Sequence, residues 1–148
     1  MRIVVPGATA ENAQRYLIAA ACGAALAFAS LAGGYGSRDM ATVWVIGVAA
    51  GMLVCISAGF TLVVGAYRRA KAVRETGEYD RITAAAKRQQ LLNAAGALIL
   101  FATTLLMWPH AFFGAPTFAG QWAVEFIGIF TGLIIQLHSQ ARYLKELG

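Results

Sequence analysis

The chain has 148 residues, of which 59% are hydrophobic and 13% charged, with a mean hydropathy of +0.62. A soluble domain carries about a quarter of its residues as charges, so this composition excludes an ordinary globular enzyme or binding module and implies an integral membrane protein. The net charge of +5 does not indicate nucleic acid, because the basic residues stand beside apolar runs, where they orient spans and meet anionic headgroups.

Residues 1–15 hold Arg2, Arg15 and Glu11, with Pro6-Gly7 near the front, and read as a cytoplasmic lead-in. From Tyr16 to Gly36 no charge occurs over about 30 Å of helical rise, enough to cross the hydrocarbon. Ala27-Phe28-Ala29 before Ser30 imitates a signal-peptide cleavage site, but the apolar run continues to Gly36 behind a long polar segment, so it reads as a retained span. A glycine-rich stretch, Gly33 to Gly36, then leads into a short turn with Arg38 and Asp39.

The second span covers 41–67, long enough to tilt or to project past the inner leaflet. Gly47, Gly51, Cys55 and Gly59 recur every four residues and leave one helix face nearly flat, a packing surface for another helix. Residues 68–90 form the one long polar run, a basic cytoplasmic loop carrying Arg68, Arg69, Lys71, Arg74, Lys87 and Arg88, all candidates for lipid-headgroup or partner contact. The helix is expected to break at Thr76-Gly77 and to restart with Asp80 as N-cap.

The third span is placed at 91–108, with Pro109 marking its end or a kink. A connector without Lys, Arg, Asp or Glu follows, carrying Phe112, Phe113 and Phe118 at the bilayer surface. The fourth span, 119–138, has a less complete ladder of Gly120, Gly128 and Gly132, interrupted by Val124, and the chain closes on a tail with Arg142 and Lys145.

These readings give an all-α integral membrane protein, a single four-helix transmembrane domain over 1–148 made of two hairpins. With both termini in the cytoplasm, all but Arg38 of the twelve Lys and Arg lie inside, and the aromatic belts agree, which implies a bacterial inner (plasma) membrane. A shift of 73 residues pairs Gly23 with Gly96, Gly59 with Gly132 and Arg69 with Arg142, a weak sign of parallel duplication.

Glu125 is the one acid inside a span, about a turn from the outer edge, where it either snorkels or pairs with Arg38 to join the hairpins, or serves an ion or substrate. Cys22, Cys55 and His138 could approach one another, but without a ligand spacing they are read as packing residues, and no metal or cofactor is expected. Nothing in the sequence identifies a reaction. The favoured reading is a non-catalytic inner-membrane interaction or accessory subunit that packs with partner membrane proteins. The alternative is a small homo-oligomeric transporter or channel, and a weaker third is an enzyme using Arg68, Arg69, Arg88, Asn93 and His138 on a lipophilic substrate.

Overall fold

In hydrocarbon every backbone N–H and C=O must find a partner within its own segment, so long apolar runs become helices. The computed structural model describes residues 7–36, 41–113 and 120–148. Among them lie α1 (Ala13–Gly36), α2 (Ala41–Glu75), α3 (Tyr79–Phe113) and α4 (Gln121–Leu147), each long and apolar enough to span a membrane. The protein is an all-α, four-helix integral membrane bundle.

The helices outrun the apolar stretches that seed them. α2 continues past Tyr67 to Glu75, and α4 continues past His138 to Leu147, because the N–H to C=O ladder persists in water once packing supports it. Gly77, at φ +81°, ends α2 in the left-handed region, with its N–H on the Arg74 carbonyl at 3.1 Å and the Thr76 hydroxyl on the Val73 carbonyl at 2.7 Å. α3 begins at Tyr79, so Asp80 lies inside the first turn instead of capping it, where its charge still suits the positive end of the dipole. The same helix runs through Pro109 to Phe113, so the proline interrupts one ladder bond without ending the element.

Two antiparallel hairpins result, α1 with α2 and α3 with α4. α4 also packs on α1 and α2, whereas among the described residues α3 does not reach α1 and meets α2 only lightly, around Val73, Ile82 and Ala85. One end of the bundle, the basic end, holds the α2–α3 turn, the start of α1 and the close of α4, and the other is the distal end.

Small residues set both hairpin crossings. A Cβ built on Gly23 would lie 2.6 Å from the Gly51 carbonyl oxygen and 2.7 Å from the Cys55 nitrogen, so the α1 and α2 backbones touch. In the second hairpin Gly96 and Gly132 oppose each other, a Cβ on either lying 3.1 Å from the other's carbonyl oxygen. Under the shift of 73, Gly51 corresponds to Val124 and Gly132 to Gly59, so the two crossings use positions two turns apart on their second helices.

Between the hairpins, Ala20, Ala24, Cys55, Ala58, Leu62, Leu137, Ala141 and Leu144 form a core shared by α1, α2 and α4. Toward the distal end Phe28 of α1 stacks on Trp122 of α4 with ring centroids 6.3 Å apart, and Phe126 meets Phe28 at 6.0 Å and Phe130 at 4.6 Å. At the basic end the lead-in crosses α2, where the Ala8 N–H donates to the Thr61 carbonyl at 3.0 Å and the Ala8 backbone rests on Gly65.

Candidate functional site

The polar groups within the bundle gather along α4, at both of its ends. At the distal end the Gln121 amide donates to a carboxylate oxygen of Glu125 at 2.7 Å and to the Leu106 carbonyl of α3 at 3.2 Å. Both side chains are buried, and their i, i+4 spacing stacks them on the α4 face turned to α3. The expected partner Arg38 lies outside the described residues, as do residues 114–119 of the connector with Phe118, while the backbone of Phe112 and Phe113 belongs to the end of α3. Glu125 is thus held inside the protein and does not snorkel to the surface.

At the basic end, three helices converge on the last turn of α4. The final carbonyls of a helix lack N–H partners and form the negative end of its dipole, so cationic donors are favoured there. Arg69 of α2 supplies two contacts, Nε to the Leu147 carbonyl at 2.7 Å and Nη2 to the Gly148 carbonyl at 3.3 Å. Arg81 of α3 reaches the Glu146 and Gly148 carbonyls, each at 3.4 Å, and pairs with Glu78 at 3.3 Å.

The Glu146 side chain takes up the rest. One carboxylate oxygen accepts from the Gln89 amide at 2.7 Å, while the other lies 3.7 Å from Arg88 Nε. Lys145 donates to Gln14 of α1 at 3.1 Å, so every helix contributes to this knot. Beneath it Leu144 and Leu147 are fully buried.

The six basic residues of the loop expected to meet headgroups or a partner therefore divide. Arg69 and Arg88 reach α4 from exposed positions, the Arg88 side chain being 69% exposed, and Arg68 and Lys87 are exposed as well. Lys71 lies 4.0 Å from Glu75, with both side chains exposed, which is worth little. Arg74 sits 6.0 Å over the Tyr79 ring, and the two line an open groove of about 640 Å³ with Tyr67, Lys71 and Ile82. A second groove, about 540 Å³, runs between the lead-in and α2, with Arg68 and Arg69 on its wall.

The small-residue ladders divide as well. Gly47 faces the Ser30 side chain and Gly51 the α1 backbone, and Cys55 is buried against Gly23. Gly59 turns to Leu137 of α4, where an added Cβ would meet methyl carbons at 3.2 Å. On α4, Gly132 opposes Gly96 and Leu100, and Gly128 accommodates the Thr103 side chain, whose hydroxyl bonds the Ile99 carbonyl at 2.7 Å. Gly120 stands apart: it has φ +79° with no neighbour among the described residues within 4 Å of a Cβ, and it serves the N-terminal turn of α4. Cys22 and His138 are exposed, while Cys55 is buried.

Sequence reasoning missed Arg81, Gln89 and Glu146. One signal was available: Glu146 stands in the last turn of a helix, where its charge opposes the dipole, so it needs a partner from elsewhere in the fold.

No protein-family model, curated protein or solved structure matches the chain. What the fold defines is a class, the four-helix integral membrane protein with a closed basic end.

Proposed function

We propose that this protein is a non-catalytic interaction or accessory subunit of a bacterial inner membrane, packed through its bilayer-facing helices against partner membrane proteins, with both termini and the basic loop in the cytoplasm. The observation that carries this reading is where the polar side chains go. Gln121, Glu125, Asn93, Gln136 and Thr103 lie in the α3–α4 contact, with the Gln136 amide on the Asn93 carbonyl at 2.8 Å, while the outward stripe of α3 presents Leu91, Leu98, Phe101, Leu105 and Trp108. A transporter or channel assembled from copies of this chain would place such groups at a subunit boundary. Here they bind the two helices of one hairpin.

α3 is the helix with the most surface left to offer, since it packs mainly on α4. Arg68, Lys71, Arg74 and Lys87 supply the cations that rest on anionic headgroups of the inner leaflet. Isolated in native nanodiscs, the tagged chain is expected to carry a foreign membrane subunit in stoichiometric amount, read by the mass of the intact particle. A homo-oligomer without a foreign subunit would overturn this reading in favour of the transporter or channel.

Orientation is tested separately. Gly77 lies in an exposed turn with nothing within 4 Å of a Cβ, so it tolerates an inserted reporter. A phosphatase that is active only outside the cytoplasm is expected to be silent there, and activity would invert the topology.

A further inference from the structure

Between the Gly96–Gly132 contact and the Glu146 knot, α3 and α4 stand apart around a cavity of about 140 Å³ lined by Ala86, Gln89, Asn93, Ser139, Gln140 and Tyr143. Its walls are polar in a way that packing does not explain. Gln89 is 2% exposed and Ser139 0%, and three buried oxygens on these walls, Gln89 Oε1, Asn93 Oδ1 and Ser139 Oγ, meet no hydrogen-bond donor among the described residues. A buried oxygen left so bears the full cost of its desolvation.

The chemistry of the guest follows from the donor and acceptor inventory. Gln89 gives its amide N–H to Glu146, which as a carboxylate only accepts, and this orients the Gln89 carbonyl oxygen as the free group. The cavity therefore needs hydrogen-bond donors. An apolar guest supplies none. A cation meets an unfavourable field, because Arg88 lies 3.7 Å from the Glu146 carboxylate while Arg69 and Arg81 donate to the same end of the bundle. Small neutral donors fit, and the volume suits several water molecules at about 30 Å³ each.

We propose that α3 and α4 bind a cluster of ordered water here, held by Gln89, Asn93 and Ser139 and exchanging with solvent past Ala86 and Gln140. The α3–α4 contact then has two parts, dry where Gly96 meets Gly132 and wet from there to Glu146. This inference does not depend on the interaction-subunit reading.

X-ray radiolysis of the full chain in nanodiscs tests it, since bound water yields hydroxyl radicals that oxidise the side chains beside it. Tyr143, which lines the cavity, is read by mass spectrometry against Leu62, which is 0% exposed in the apolar core. With each rate divided by the intrinsic reactivity of that residue type toward hydroxyl radical, Tyr143 is expected to oxidise several-fold faster than Leu62, and Asn93→Leu, which removes one acceptor and narrows the cavity, to remove most of that excess. Should Asn93→Leu fail to fold, Ser139→Val makes the same comparison. A Tyr143 rate no higher than that of Leu62, or one unchanged by the substitution, would overturn the proposal. So would a wild-type rate that falls saturably with sodium or potassium but not with choline, which would assign the site to a cation.

Discussion

Gly51→Ala is expected to destabilise the protein by about 3 kcal/mol, the upper end of what overpacking costs, and Gly51→Leu to abolish the folded species. The reason is what the new Cβ meets: it would lie 2.5 Å from the Ala27 nitrogen and from the Gly23 carbonyl oxygen, both backbone atoms of α1. A side chain in the way can change rotamer, but a backbone atom moves only if the helix moves. Relief therefore requires α1 and α2 to separate along the crossing, and the Cys55 contact with Gly23 loosens with it. Two comparisons isolate the cause. Gly47→Ala meets only the Ser30 side chain and is expected to cost less, and Gly120→Ala meets nothing but must hold φ +79°, a strain of about 1–2 kcal/mol. Detergent-resistant melting of the three variants supplies the order. If Gly51→Ala melts with the wild type, the close α1–α2 approach is not a feature of the folded protein.

That every-fourth-residue ladder also shows how far the sequence could be read. The period identifies a smooth face because side-chain volume is written in the sequence, but it does not say which helix will lie on that face. Gly47 and Gly51 meet α1 while Gly59 meets α4, a division set by where three helices converge. Gly120 fits the period on α4 and yet belongs to a turn, since periodicity is blind to φ. The four spans were legible from the apolar runs alone. The end of α2 at Glu75 was legible too, from Thr76-Gly77, but the end of α4 was not, because hydropathy measures the thickness of hydrocarbon a helix crosses and carries no information about how far the ladder continues beyond it, here to Leu147.

The basic loop was legible only as charge. Arg68 and Arg69 are adjacent and chemically identical, and the partner that separates them, the end of α4, lies 78 residues further along the chain. No local pattern carries a contact of that range. Glu125 was legible as a lone acid in a span with Gln121 one turn before it on the same helix, but the burial of the pair and the Gln121 bond to the Leu106 carbonyl depend on the α3–α4 register, which the helix ends help to set.

Arg69→Ala is expected to loosen the close of α4 by about 2 kcal/mol, a typical worth for hydrogen bonds made by a charged group. Its guanidinium joins α2 to two successive carbonyls, those of Leu147 and Gly148, which a helix end cannot satisfy from within. Arg69→Lys keeps the charge but replaces a planar fork by a single ammonium point, so it is expected to restore only part of the loss. Arg68→Ala, on the exposed neighbour, is expected to change little. The effect is local: Leu144 and Leu147 are 1% and 0% exposed beneath the knot, so its opening uncovers the last turns of α4 first. Amide hydrogen exchange over residues 139–148 is therefore the sensitive readout, with Arg69→Ala accelerating it and Arg68→Ala leaving it near wild type. Equal acceleration in the two variants would mean that the charge of the loop as a whole, and not the Arg69 fork, holds the end of α4 in place.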